Sequence, residues 1–176
     1  IVAAPMDAVE LRNMMYTAQL DSINRPFSIR YPRGSGMINE WQQPFSEIPP
    51  GRARLIREGK DIAVLSIGHP GNDVKAVTEK LTEESISVTH WDMRFAAPLD
   101  SDALHSVFRK FRKIITVEDG ILKGGFGSAV IEFMCDNNYT AEVRRLGIPD
   151  YFVEQGTQEE LYSECGYDAR SEERRV

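Results

Sequence analysis

Two arginines beside a glycine-flanked turn are the residues in this sequence best suited to binding an anion. Arg30 and Arg33 lie within residues 27–36, which read Phe-Ser-Ile-Arg-Tyr-Pro-Arg-Gly-Ser-Gly. Alternating apolar and polar residues over 27–31 predict a strand, and Pro32 ends it because proline cannot donate to a strand ladder. Arg33 is therefore expected beyond the carboxyl end of a strand, where open α/β sheets bind ligands, and its guanidinium fork suits phosphate or carboxylate. On the local sequence alone, however, the favoured interpretation is that both arginines are solvated and merely flank a turn.

A glycine-rich run, Gly124-Gly125-Phe126-Gly127-Ser128, lies between an expected strand and an expected helix. Backbone amides at the start of a helix can cradle a phosphate. No lysine follows the last glycine and the spacing is not G-x-G-x-x-G, so the run is neither a Walker loop nor a Rossmann fingerprint. Phosphate binding and close packing of a helix on the sheet both stay open, and packing is favoured.

Three further charged residues are placed at expected strand ends. Glu118 and Asp119 are paired acids that could serve acid–base chemistry, although surface acids in a loop are the favoured interpretation. For Arg94, an ion pair or a subunit contact is favoured over catalysis. No nucleophile, base and orienting residue form a set, so no catalytic residue is assigned.

Cysteine and histidine give no sign of a metal centre. Cys135 and Cys165 lie in different segments, and reduced thiols are favoured over a disulfide. His69, His90 and His105 are scattered, and none has a second ligand-type residue at metal-site spacing. No metal ligand is therefore assigned.

The composition describes an ordinary soluble protein. The 176 residues are 41% hydrophobic and 27% charged, with a formal net charge of −6. That charge argues against nucleic-acid and membrane-surface partners, which need a basic footprint. The first residues, Ile-Val-Ala-Ala-Pro, lack the features of a signal peptide. With no initiator methionine and an abrupt start, the chain is expected to be a fragment of a longer polypeptide.

The periodicity divides the chain into four parts. Residues 1–36 are predicted to be a strand–helix–strand unit, the last βαβ piece of a domain, and residues 37–50 a linker that Trp41 and Phe45 anchor to a neighbouring surface. Residues 51–170 are predicted to be a complete domain, and residues 171–176 a charged tail. In the first helix, started by Asp7, an apolar stripe is predicted. Its members are Leu11, Met14, Met15 and Ala18.

Strands and helices alternate through residues 51–170, which predicts an α/β fold with a mostly parallel sheet and helices on both faces. Residues 52–57 and 61–67 are predicted to form a hairpin through the loop 58–60, and its first strand adds one antiparallel edge. Further strands are expected at 86–91, 113–118 and 142–146. Helices are expected at 73–84, 100–111, 127–136 and 157–165, the last with a Thr157/Glu160 capping box and Gly166 as its stop.

Six stretches, taken in order and spacing, resemble one family over residues 1–169. They are Arg30–Gly34, Asp92–Phe95 with Pro98–Asp100, Thr116–Gly120, Gly124–Val130, Gly147–Asp150 and Gln155–Leu161. Together they look like the C-terminal part of the 1-deoxy-D-xylulose-5-phosphate synthase family, thiamine-diphosphate enzymes of the transketolase superfamily. The resemblance implies a transketolase C-terminal-type domain over 51–170, preceded by the remnant of a pyrimidine-binding domain over 1–36.

The resemblance also implies a function. The family condenses pyruvate with glyceraldehyde 3-phosphate, with loss of CO2, to give a precursor of isoprenoids, thiamine and pyridoxal phosphate. Arg33 matches the family arginine that holds the substrate phosphate, and Arg30 is a supporting neighbour. The motifs that bind thiamine diphosphate and Mg²⁺ lie upstream in the family, so this chain is expected to bind no cofactor and to be inactive alone. The intact enzyme is expected to be a cytoplasmic homodimer.

Two other functions remain as alternatives. The β subunit of a 2-oxo acid dehydrogenase shares this type of C-terminal domain, and it is disfavoured because Tyr31–Gly34 and Gly156–Leu161 together look like the synthase. Alternatively, residues 51–170 form a stand-alone assembly module. A nucleotide-binding regulator would depend on residues 124–127 alone.

Overall fold

The computed structural model describes residues 1–33 and 42–167. The strands in these residues are β1 (Val2–Ala3), β2 (Ser28–Ile29), β3 (Arg54–Arg57), β4 (Ile62–Ile67), β5 (Val88–Asp92), β6 (Phe95–Ala97), β7 (Lys113–Ile121) and β8 (Glu142–Ile148). The helices are α1 (Ala8–Thr17), α2 (Gly71–Glu83), α3 (Ser101–Lys110), α4 (Phe126–Asp136) and α5 (Gln158–Cys165). Trp41 and the tail 171–176, for which we made predictions, lie outside the described residues.

The larger sheet has the strand order β3-β5-β4-β7-β8. Strands β5, β4, β7 and β8 are parallel, and β3 is antiparallel to β5 at the edge. All six residues of β4 are buried, as its continuous apolar sequence predicts for a central strand. The mostly parallel sheet with one antiparallel edge strand is therefore confirmed.

The predicted hairpin between residues 52–57 and 61–67 is wrong, because β5 lies between its two strands. The connecting loop crosses the start of β5, where Gly59 donates its N–H to Thr89 Oγ1 at 2.8 Å. A Cβ at Gly59 would collide with the Val88 backbone, so glycine permits this crossing. The short loop looked like a hairpin turn, but its contacts are with a strand that follows more than twenty residues later in the chain.

Helices cover both faces of this sheet, as predicted. On one face, α3 and α4 pack through a core that includes Leu104, Phe108 and Val130. On the other, α2 packs through Val77 and Leu81, and α5 lies at the border of the same core. The ends of α5 are as predicted, with a Thr157/Glu160 capping box and Gly166 in the left-handed conformation.

A second, smaller sheet joins the start of the chain to the rest. Its order is β2-β1-β6, with β1 parallel to β2 and antiparallel to β6, a strand that the sequence did not predict. Ala3, Met14 and Phe95 meet in a small core beneath it. In α1, Asp7 caps the helix as expected, but the predicted stripe is partly wrong because Met15 is 53% exposed. The buried side of α1 carries Met14, as predicted, together with Glu10 and Thr17.

Candidate functional site

Between β4 and β7 the direction in which the chain adds strands to the larger sheet reverses, and the carboxyl ends of these two strands lie side by side. The chain leaves β4 for β5 through α2 on one face, and leaves β7 for β8 through α4 on the other. A crevice outside such a point is where open α/β sheets bind ligands. Here a cavity of about 330 Å³ lies between these strand ends and the residues after β2. Its polar lining residues are Arg30, Tyr31, His69, Glu118 and Asp119.

The structure separates the two arginines of the predicted site. The Arg30 side chain reaches the end of β7, where its Nη2 donates to the carbonyl oxygen of Asp119 at 2.8 Å. Arg33 is exposed beyond β2, and none of the hydrogen bonds and ion pairs within the described residues involves it. Within the described residues, the guanidinium of Arg33 thus has no partner, whereas that of Arg30 has one.

Asp119 belongs to a polar cluster contributed by three parts of the chain. Tyr167 donates its hydroxyl to Asp119 Oδ1 at 3.0 Å, and His69 Nε2 lies 3.7 Å from Asp119 Oδ2. The hydroxyl of Tyr162, on α5, is hydrogen-bonded to the same His69 nitrogen. Burial lowers the pKa of His69, and the negative charges of Asp119 and Asp73 oppose that shift. The cluster holds α5 against the ends of β4 and β7.

The sequence did not identify His69, Tyr162 and Tyr167 as members of one cluster. Two signals were present, since Gly68-His69 directly follows the most apolar strand and Asp119 directly follows another expected strand. What was missing was the strand order that makes β4 and β7 neighbours. The two tyrosines gave no local signal, because α5 reaches the cluster only through the fold.

Glu118 occupies the amides that were candidates for phosphate binding. Its carboxylate accepts from the N–H groups of Phe126 and Gly127, at 2.8 Å each, at the start of α4. A Cβ at Gly127 would lie 2.5 Å from Thr116 Oγ1, so the glycine allows α4 to lie close on β7. The packing interpretation of this glycine run is confirmed, and phosphate binding by these two amides is excluded.

The interpretation of Glu118 as a surface acid is wrong, since this residue is 4% exposed. The strand β7 continues to Ile121, three residues past its predicted end, and places Glu118 beneath α4. Burial raises the pKa of Glu118. The amides of Gly127 and Phe126 act in the opposite direction.

Arg94 forms the ion pair that its sequence position favoured. Its Nε donates to Glu10 Oε2 at 3.0 Å and its Nη2 pairs with the other oxygen of the same carboxylate. Arg54 joins this network through Glu10 at 3.3 Å and Asp92 at 3.0 Å. Burial, followed by the negative charge of Glu10, raises the pKa of Asp92 to about 7, against the pull of Arg54 and Arg94. The network joins α1 to the end of β5.

The start of α4 does not offer the phosphate site that the glycine-rich run suggested. The amides of Phe126 and Gly127 at the glycine-rich helix start already bind a carboxylate. Within residues 1–33 and 42–167, no group of three or more His, Cys, Asp or Glu side chains could hold a metal ion.

Cys135 and Cys165 are free thiols, as favoured above. None of the helices in this part of the chain is long and apolar enough to cross a membrane.

Comparisons with known proteins give consistent results. The family model "Transketolase, C-terminal domain" matches residues 51–171. A 1-deoxy-D-xylulose-5-phosphate synthase of Cytophaga hutchinsonii is 58% identical over 176 residues, which are 100% of this chain and 28% of that protein. The protein of the same name from Bacteroides thetaiotaomicron is 52% identical over 171 residues, 97% of this chain and 26% of its own length. The chain therefore spans little more than a quarter of these relatives.

Two solved structures show the same fold. A protein titled "Split gene transketolase, inactive beta4 tetramer" has a TM-score of 0.83 and 27% identity, and the match covers 98% of this chain and 55% of that one. A transketolase from Campylobacter jejuni has a TM-score of 0.67 at 16% identity, over 98% of this chain and 25% of that one, and shows the fold alone.

Proposed function

Since the chain belongs to the transketolase C-terminal domain family, we propose that it is the C-terminal part of a 1-deoxy-D-xylulose-5-phosphate synthase. The intact enzyme would join pyruvate to glyceraldehyde 3-phosphate with loss of CO2. The observation that carries this proposal is the 58% identity to a protein of that name along all 176 residues. Thiamine diphosphate and Mg²⁺ would be bound by the part of the enzyme that this chain does not contain, so the chain alone is inactive.

Arg33 is the residue that we assign to the phosphate of glyceraldehyde 3-phosphate. Three observations support this: it follows the carboxyl end of β2, it is exposed, and no described residue pairs with its guanidinium. An arginine fork matches the geometry of a phosphate and stays charged at every physiological pH.

The division of the chain follows from the same proposal. Residues 1–36 are the end of a pyrimidine-binding domain, residues 37–50 a linker, and residues 51–170 the C-terminal domain, with 171–176 as a tail. The family model begins at residue 51, which supports the boundary between the linker and the C-terminal domain. We further propose that the intact enzyme is a cytoplasmic homodimer, and sedimentation of the intact protein at the mass of a monomer would contradict the dimer.

The assignment of Arg33 is tested by Arg33→Ala in the intact enzyme that carries this chain. Removing one partner of a desolvated charge pair costs about 2–5 kcal/mol, so KM for glyceraldehyde 3-phosphate should rise by about thirtyfold or more. KM for pyruvate, which has no phosphate, should change far less. Arg25→Ala, an exposed arginine before β2, is the matched control. An unchanged KM for the phosphorylated substrate would contradict the assignment.

Two measurements test the enzyme and its division into parts. Release of CO2 from pyruvate that depends on glyceraldehyde 3-phosphate distinguishes the synthase from the β subunit of a 2-oxo acid dehydrogenase. Calorimetric titration of the 176-residue chain with thiamine diphosphate and Mg²⁺ should give no binding heat. Stoichiometric binding would mean that these residues contain a cofactor site after all.

A further inference from the structure

The residues after β2 are linked to the larger sheet through Arg30. The Arg30 backbone N–H donates to the Ala3 carbonyl at 2.8 Å, which holds it in the small sheet. Its side chain donates to the Asp119 carbonyl, also at 2.8 Å. Gly120 makes room for this contact, because a Cβ there would lie 3.2 Å from Arg30 Nη1. One residue thus joins the two sheets only three positions before Arg33.

Asp119 is in turn held in place from the other side of the sheet. Tyr167 is 3% exposed, and its hydroxyl donates to Asp119 Oδ1 at 3.0 Å. Tyr167 directly follows Gly166, whose left-handed conformation ends α5 and turns the chain back over the core. A hydrogen bond between His69 and Tyr162 secures the same helix. The position of the Asp119 carbonyl therefore depends on the docking of α5.

The charges around Arg30 are unfavourable for a phosphate. Glu118 and Asp119 both line the cavity beside it. A doubly charged phosphate ester at Arg30 would have to approach both of them, whereas Arg33 has no ion pair within the described residues. Like charges a few ångströms apart repel each other. Arg30 is therefore better suited to an intramolecular link than to the substrate.

We propose that α5 and Tyr167 position the end of β2 through Asp119 and Arg30, so that Arg30 is a positioning residue for Arg33 and no ligand of the substrate. This inference is based on the function proposed above and refines it. The C-terminal helix then has a task in substrate recognition, although none of its side chains reaches the phosphate. Its effect is confined to the phosphorylated substrate, because it acts through Arg33.

Tyr167→Phe in the intact enzyme is the first test. The substitution keeps the buried ring and removes one hydroxyl, so a stable fold is expected, which a melting curve checks. KM for glyceraldehyde 3-phosphate should rise about two- to tenfold, the range that corresponds to one hydrogen bond, with KM for pyruvate unchanged. Tyr139→Phe is the matched control, since the Tyr139 hydroxyl pairs with His105 Nδ1 at 2.9 Å, away from the cavity. A Tyr167→Phe enzyme with the wild-type KM for both substrates would overturn the proposal.

A double-mutant cycle separates a positioning role of Arg30 from direct binding. Arg30→Met alone should raise KM for glyceraldehyde 3-phosphate, and Arg30→Lys should restore part of the loss. In the Arg33→Ala background, Arg30→Met should have no further effect, because there is nothing left to position. Arg112→Met is the control, an exposed arginine that also donates to a backbone carbonyl.

The outcomes of this cycle are distinct from those of the Arg33 test. A full, additive effect of Arg30→Met in the Arg33→Ala background would make Arg30 a direct ligand and overturn the positioning role. If Arg33→Ala raises KM and Tyr167→Phe does not, the proposed function stands and the further inference fails. If Arg33→Ala itself has no effect, the phosphate assignment fails first.

Discussion

Replacing Glu118 by glutamine should loosen the start of α4. In the native protein both carboxylate oxygens accept from backbone amides, one from Phe126 and one from Gly127. A glutamine retains one carbonyl oxygen and turns an NH2 group toward the other amide. That amide is then buried without an acceptor, because the helix start is packed closely on β7.

Two unfavourable changes and one favourable change decide how much stability Glu118→Gln loses. An unpaired buried donor costs about 1–3 kcal/mol, and removing a negative charge from the start of a helix costs about 0.5–2 kcal/mol. Burial raises the pKa of Glu118 because a buried carboxylate loses its hydration. The neutral amide of glutamine does not have this desolvation cost, and this is the favourable change. We therefore expect Glu118→Gln to lower the free energy of unfolding by about 1–3 kcal/mol.

Urea denaturation of the chain at pH 7 measures this loss, and hydrogen exchange at the Phe126 and Gly127 amides locates it. Both amides should exchange faster in the variant. Glu142→Gln is the matched control, since Glu142 is exposed and pairs with Arg144 at 3.4 Å. It should change stability by no more than about 0.5 kcal/mol. A Glu118→Gln chain with native stability and unchanged exchange at the two amides would refute the reasoning.

Two other predictions test the buried network and the glycine run. The pKa of Asp92 rises from 3.8 to about 7 on folding, so its contribution to stability is fully present below pH 3.8 and is lost as the pH rises through 7. Urea titrations at pH 5 and pH 8 should show that the free energy of unfolding falls less between these pH values in Asp92→Asn than in the native chain. An equal fall in both would be evidence against a raised pKa of Asp92. Gly127→Ala should cost about 1–3 kcal/mol because its Cβ meets Thr116. Gly124→Ala, with open space around its Cβ and a φ of +70°, should cost only about 1 kcal/mol of backbone strain. A larger loss of unfolding free energy in Gly124→Ala than in Gly127→Ala would contradict the packing argument.

Features with a local cause were predictable from the sequence. The capping box of α5 needs only Thr157 and Glu160 at the right spacing, and Gly166 alone supplies the left-handed stop. The central position of β4 follows from its apolar run, because a strand covered on both faces has no polar side. These signals are encoded within a few residues, so the rest of the chain cannot easily override them.

Features that depend on strand order were not predictable in this way. The loop at Gly59 has the length of a hairpin turn, yet it crosses the start of β5, since pairing is decided by contacts distant in the sequence. The strand β6 has three residues, too few to show a period. The sequence predicts that the strand ends at Glu118 and that this residue is a surface acid, whereas β7 continues to Ile121, which pairs with Ile148 of β8.

The difference between Arg30 and Arg33 depends partly on local sequence and partly on strand order. In an extended chain, residues three apart point to opposite sides, so the spacing alone argues against one ligand for both guanidinium groups. Which arginine faces the protein depends on where β7 ends and on the position of the Asp119 carbonyl, and both are set by the larger sheet. Of the two arginines at this turn, Arg30 is therefore the one that anchors the chain to the larger sheet.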